Sequence, residues 1–208
     1  MMGPLTPASE NRGPQAILIG GSAGAIEVVS LVLGALRADF ATPVVVVIHL
    51  PRSRPSALAG ALHGKCGLAL REALDKEPLA PATVYLAPPD YHLLIDPGPC
   101  FALSVDEPVN FSRPSVDVLF QSAADVLGPR CAGVVVSGAN PDGAQGLRAI
   151  QEAGGLVAIQ DPDEAAQGAM PKAALALCPN APRLSAKAIS QWVQQLSVWQ
   201  TSRDRDAR

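Results

Sequence analysis

Aromatic residues make up only 4% of the chain and charged residues 17%, and both are scarce for a globular protein. The chain also lacks a basic excess. Sixteen Lys and Arg stand against nineteen Asp and Glu, for a net charge of -3. A nucleic-acid binder would normally carry a basic face, so no nucleic-acid partner is expected. Cys66, Cys100, Cys131 and Cys178 are widely spaced, with no C-x-x-C pair among them. This spacing disfavours a zinc site or a disulfide framework and fits reduced, structural thiols. The N-terminal "MMGPLTPASENRGP" has neither the basic nor the apolar region of a signal peptide. No apolar run reaches the ~20 residues needed to span a bilayer. Cytoplasmic location without membrane insertion is the expectation.

What the chain does have is small aliphatic residues. Apolar types make up 48% of 208 residues, dominated by Ala, Val and Leu, as in parallel sheets buried on both faces. Residues 1–14, rich in Pro, Gly and polar types, read as a disordered lead. "AILIG" reads as a buried strand, followed by an alanine-rich helix to about Ala38, and "TPVVVVIHL" as a second strand. "SRPSALAGAL" opens a short helix, with Pro55 suited to its first turn. From Leu68 to Val105 four short strands, "LALREA", "TVYLAP", "YHLLID" and "FALSV", suggest antiparallel pairing beside a parallel core. "RPSVDVLFQSAADVL" has helical spacing, with Val116, Leu119, Phe120, Ala123 and Leu127 on one stripe. The strands "CAGVVVSG" and "LVAIQD" follow, around the helix "DGAQGLRAIQEAG". A short helical piece comes next, then an amphipathic helix with Ile189, Trp192, Val193 and Leu196 on one face. Residues 198–208 read as a frayed tail. The alternation predicts an α/β fold: a doubly wound, mostly parallel sheet with helices on both faces, a Rossmann-like three-layer sandwich with some antiparallel strands in the middle block.

In such a sheet, chemistry sits at the carboxyl ends of the strands. Ser22 ends the first strand inside Gly20-Gly21-Ser22-Ala23-Gly24, His49 ends the second, and Asp142 follows "GVVVSGANPD". The glycine turn suits either a phosphate or a nucleophile. A dinucleotide site would want an acidic residue where His49 stands, and a second glycine where Ser22 stands. No Walker lysine follows, which excludes a P-loop. A serine nucleophile needs a base titrating near neutrality, and an imidazole needs a carboxylate to fix its tautomer. Backbone N–H groups of the turn, at Ala23 and Gly24, can receive an oxyanion, worth ~3–4 kcal/mol per donor. The bland alternatives are a helix cap for Ser22, a satisfied buried ring for His49 and a turn or cap aspartate for Asp142. His63 and His92 have no acidic partner in view and read as structural.

Six segments together resemble one family: "IGGSAGAIEVV", "PVVVVIHLP", "REALDKEPLAPATVYLAPPDYHLLI", "RPSVDVLFQSAADVLG", "GVVVSGANPDGAQGLRAIQEAGG" and "AIQDP" with "AMPKAA". Over residues 15–197 the chain resembles the catalytic domain of CheB, the chemoreceptor-specific protein-glutamate methylesterase. The resemblance implies Ser22 as nucleophile, His49 as base and Asp142 as the orienting carboxylate, with no cofactor. It implies hydrolysis of glutamyl γ-methyl esters on methylated cytoplasmic helices of chemoreceptors, and deamidation of receptor glutamines. Family members typically carry an N-terminal receiver domain. About 14 residues precede the first strand here, so control by a separate response regulator is one expectation. The family's T-G-M-G-x-D-G becomes Ser137-Gly138-Ala139-Asn140-Pro141-Asp142-Gly143, placing Ala139 and Asn140 near the implied oxyanion site. Ala25 and Ala169 replace usual glycines, each expected to add a Cβ near the cleft. Two other classes stay open: a catalytically weakened domain acting as a binding or regulatory partner, and a nucleotide-binding module.

Overall fold

The computed structural model describes residues 13–49, 57–62 and 64–201. Pro55 and His63, residues 1–12 of the N-terminal lead and residues 202–208 of the tail lie outside the described residues. The first strand, β1 (Ala16–Gly21), is buried along its whole length. So is β2 (Val44–Ile48), a run of β-branched residues that suits an interior strand. They pair in parallel with Gly21 beside Ile48, so the next residues out, Ser22 and His49, leave adjacent strands side by side.

The expected antiparallel middle block divides in two. β3 (Ala69–Glu72) and β4 (Thr83–Leu86) pair in parallel, and β4 joins the main sheet beside β2. Residues 73–82 between them carry the chain back across, which leaves β4 running the same way as β3. Only β5 (His92–Asp96) and β6 (Cys100–Ser104) pair antiparallel, because the short turn between them can only reverse the chain. After β7 (Cys131–Val135) and β8 (Leu156–Gln160), a two-residue strand β9 (Arg183–Leu184) completes a sheet of order β3-β4-β2-β1-β7-β8-β9. Two residues are too few to give a period, so β9 had no sequence signal.

Helices cover both faces. α1 (Ala25–Ala35), α2 (Ala57–Leu62) and α6 (Ala186–Thr201) pack on the face presenting Ile17, Ile19, Val46 and Val134. α3 (Val116–Leu127), α4 (Ala144–Glu152) and α5 (Ala169–Leu177) share the face of Leu18, Val47 and Val135 with the β5–β6 hairpin. The predicted α3 stripe is fully covered: Val116, Leu119, Phe120 and Ala123 are inaccessible, and Leu127 is nearly so. Burying each Leu or Phe of that stripe contributes roughly 1.5–3 kcal/mol. α1 stops at Ala35 rather than near Ala38, because Leu36 turns extended while its N–H bonds back to Leu33. α6 continues through Thr201, into the span read as a tail. Among the described residues, no helix is long and apolar enough to cross a membrane.

The chain runs outward from β1 through β2 to β3 and β4 on one side, and from β7 through β8 to β9 on the other. The carboxyl ends of β1 and β7 therefore flank the place where strand order reverses. Open α/β sheets bind ligands in the crevice there.

Candidate active site

The turn after β1 is shaped by close approach. A Cβ on Gly20 would lie 2.1 Å from Val116 Cγ1, so only glycine lets the start of α3 press against β1. Gly24 has φ 79, a left-handed conformation that releases the turn into α1 without cost for a residue lacking Cβ. The N-cap of α1 is Gly24, with no side-chain cap, so Ser22 is not the cap of that helix. Its backbone is fixed instead: Ser22 N–H donates to Ser137 O at 2.8 Å, and Ser22 O accepts from Ala25 N–H at 3.0 Å. The half-buried Ser22 side chain makes no hydrogen bond among the described residues.

Ser137, just past β7, is buried and ties the turn to its surroundings. Its hydroxyl donates to Ala23 O at 2.7 Å and accepts from Gln167 N–H at 2.9 Å, while its own N–H donates to Gln160 Oε1 at 2.8 Å. Met170, at the start of α5, packs where a Cβ on Gly138 would be. The implied oxyanion residues lie on this rim, with Ala23 and Ala139 exposed. Among the described residues, no backbone carbonyl accepts from the N–H of Ala23, Gly24, Ala139 or Asn140. Ala25 is a correction: its side chain is buried in the core under α1, not in the cleft. Ala169 is exposed at the first position of α5.

His49 N–H donates to Gly21 O at 3.1 Å, which locks the histidine to the end of β1. Its Nε2 lies 2.8 Å from Asp142 Oδ2, with only 11% of the ring's surface exposed and none of the carboxylate's. His49 is thus a satisfied, largely buried ring, and its partner is the predicted carboxylate. Asp142 also sits at a helix N-terminus, but of α3 rather than the α4 that follows it. Its Oδ1 accepts from Ser115 Oγ at 2.7 Å and its Oδ2 from Val116 N–H at 2.6 Å. Asp117 N–H and Asn110 Nδ2, each at 3.2 Å, complete the shell on Oδ1. Burial alone would raise the carboxyl's pKa. The bonds from His49, Ser115 and Val116 outweigh it, and hold Asp142 below its ordinary value. The helix N-terminus favours the same charge.

Four contributors were not singled out from sequence. Ser115 caps α3, accepting from Val118 N–H at 3.4 Å while it donates to Asp142. Asp117 is a second buried carboxylate, its Oδ1 accepting from Gly146 N–H at 2.7 Å; burial and the nearby Asp142 charge push it up to about 6. Asn110 bridges the two carboxylates. Ser112 Oγ lies 3.2 Å from His49 Nδ1. Asn140 is committed to the same turn: its Nδ2 donates to Asn110 O and Ser112 Oγ, each at 3.3 Å, and its Oδ1 accepts from Asp142 N–H at 3.3 Å. An S-x-D following Pro114 was the available signal, since a cap serine before an acidic first turn marks a helix start. His92 is buried at the edge of this cluster, its Nε2 3.1 Å from Glu107 O and its Nδ1 accepting from Ser115 N–H at 3.2 Å. Among the described residues, no group of three or more His, Cys, Asp or Glu is placed to hold a metal ion.

Comparison with known proteins gives one family. The model of the CheB methylesterase family matches residues 17–193. A Leptospira interrogans protein named for protein-glutamate methylesterase and protein-glutamine glutaminase is 44% identical over 161 residues, spanning 77% of this chain and 83% of that protein. A Rhodospirillum rubrum protein named protein-glutamate methylesterase/protein-glutamine glutaminase 1 is 36% identical over 174 residues, covering 81% of this chain and 45% of that protein. The crystal structure of the Thermotoga maritima CheB methylesterase catalytic domain superposes with a TM-score of 0.83 at 28% identity, over 88% of this chain and 98% of that one.

Proposed function

Because the chain belongs to the CheB methylesterase family, we propose that it is a serine hydrolase cleaving glutamyl γ-methyl esters on the methylated cytoplasmic helices of chemoreceptors, with residues 15–197 as the catalytic unit. The observation that carries the reading is the pairing of His49 Nε2 with the buried Asp142 carboxylate, at the end of β2 and next to the end of β1, which Ser22 follows. A carboxylate only accepts, so Nε2 carries the proton and the neutral ring's lone pair is on Nδ1. Nδ1 is then the base.

Ser22 Oγ attacks the ester carbonyl and its proton passes to Nδ1. The negative oxygen that forms is received by the backbone N–H groups of Ala23, Gly24, Ala139 and Asn140, which have no backbone acceptor among the described residues. Asp142 stabilises the imidazolium through Nε2, and the Nδ1 proton leaves with methoxide as methanol. Water, giving its proton to Nδ1, hydrolyses the acyl-serine to release the glutamate carboxylate and restore Ser22. Deamidation of a glutamine would follow the same steps with ammonia as leaving group.

One observation favours a second reading, that of a weakened domain working as a binding or regulatory partner: Nδ1 is already held by Ser112. Methanol release from glutamyl-methylated receptor fragments separates the two. The esterase reading expects release by the parent and none by Ser22→Ala. Receptor binding without methanol from a folded parent would replace it with the second reading.

A further inference from the structure

The residue that meets His49 Nδ1 is not the one the proposed reaction needs there. A neutral imidazole has one lone pair in the ring plane, and it accepts one well-aligned donor at a time. Asp142 fixes that lone pair on Nδ1, and the hydroxyl of Ser112 stands 3.2 Å from it. The hydroxyl of Ser22, on the adjacent strand, makes no hydrogen bond among the described residues.

Ser112 belongs to a tight turn. Val109 and Ser112 exchange backbone hydrogen bonds at 3.2 and 2.9 Å. The two residues between them, Asn110 and Phe111, have φ 50 and 61. Asparagine tolerates that conformation, whereas a phenylalanine there is strained. The Phe111 side chain is fully exposed, so its burial does not offset the strain. The turn holds its shape because the site holds it: Asn110 Nδ2 reaches Asp117 and Asp142, and Asn140 Nδ2 reaches Asn110 O and Ser112 Oγ.

Ser112 has one proton and two acceptors within reach. Besides Nδ1, Asn110 O lies 3.4 Å from its Oγ. Turning the hydroxyl proton from Nδ1 to Asn110 O needs no backbone movement, and it frees the lone pair of its donor. We propose that Ser112 is a positioning residue that latches the base: its hydroxyl occupies His49 Nδ1 in the resting protein and must turn to Asn110 O before Ser22 can deliver its proton. The inference rests on the assignment of Ser22 and His49 as nucleophile and base.

The test compares the parent with Ser112→Ala and Ser112→Thr in two measurements. The first is the nitrogen-15 NMR signature of the His49 ring, which reads the hydrogen bond without any chemistry. The second is the rate at which a small fluorophosphonate labels Ser22, with Ser22→Ala as the blank. In Ser112→Ala the Nδ1 resonance moves towards that of a free lone-pair nitrogen while Nε2 stays protonated. Labelling of Ser22 becomes about two- to tenfold faster, the range a net hydrogen bond gives. Ser112→Thr keeps a hydroxyl and returns both towards parental values. An unchanged Nδ1 signature in Ser112→Ala overturns the latch whatever the rates. A shifted signature with unchanged or slower labelling overturns the competition. If the signature shifts and no variant labels at Ser22, the hydrolase reading fails and the latch falls with it; labelling of Ser112→Ala alone supports both.

Discussion

Asp117 and Asp142 are buried carboxylates joined by one side-chain amide: Asn110 Nδ2 lies 3.1 Å from Asp117 Oδ2 and 3.2 Å from Asp142 Oδ1. Two such groups side by side do not both ionise freely. Here the division follows from their donors. Asp142 collects His49, Ser115 and Val116 and is held below its ordinary value, while Asp117 is driven up to about 6 by burial and by its neighbour's charge.

The two have opposite signs in stability against pH. Asp117 ionises at about 6 folded and near the ordinary 3.8 unfolded. Between those values the folded chain binds more protons, so stability falls as pH rises from 4 to 6 on its account, by about 2 kcal/mol. Asp142 contributes stability that is present above the ordinary value and lost as pH falls below it. Asp117→Asn removes the first effect. Denaturant melts at pH 4, 5, 6 and 7 are expected to show the parent losing ground to Asp117→Asn up to pH 6 and none beyond. A constant difference between the two across that range would refute the assignment.

Asp142→Asn should uncouple chemistry from folding. The amide can keep one acceptor oxygen for the α3 terminus, but it cannot hold Nε2–H and Ser115 as the carboxylate does. Turnover of a methyl ester is expected to fall about 10⁴-fold, the scale seen when a triad carboxylate becomes an amide. Stability should fall by about 1–3 kcal/mol, from donors left poorly paired. Single-turnover kinetics beside a urea melt would check both; near-parental turnover would remove Asp142 from the mechanism.

Ser115 serves two ends with one hydroxyl, accepting from Val118 N–H and donating to Asp142. Ser115→Ala is expected to cost about 0.5–2 kcal/mol as a lost helix cap. It should also reduce turnover, because Asp142 loses its hydroxyl donor. Ser115→Thr, which keeps both bonds, should restore most of each. Equal loss in Ala and Thr would mean that packing around this inaccessible side chain, not the hydroxyl, sets the effect.

The positions a sequence marks most clearly are those that end strongly patterned elements. Ser22, His49 and Asp142 each follow a buried strand, and the rule that ligands sit at strand ends selected them. The α3 stripe was read correctly for the same reason, since its apolar spacing is long and regular. Asn110, Ser112 and Asp117 were not. They reach the site through a tight turn and across the end of α3, contacts of long sequence separation that no local period encodes. Which strands of the middle block pair antiparallel was not legible: the direction of β4 depends on the path of residues 73–82, not on the strand's own residues.

Gly20 is where fold and chemistry share one atom's worth of space. Its missing Cβ lets Val116 sit against β1, and Val116 N–H is the closest donor to Asp142, at 2.6 Å. A methyl group there would meet Val116 Cγ1 at 2.1 Å and Cγ2 at 2.9 Å, so the valine or the start of α3 has to move. Gly20→Ala is expected to destabilise by about 1–3 kcal/mol, as overpacking does. It should also lower ester turnover at temperatures where the variant is still fully folded, because the displaced N–H loosens Asp142 and with it His49. Pairing the change with Val116→Ala gives the methyl room, and a double-mutant cycle should recover a large part of the loss. Additive costs in that cycle would show that the strain falls elsewhere along β1.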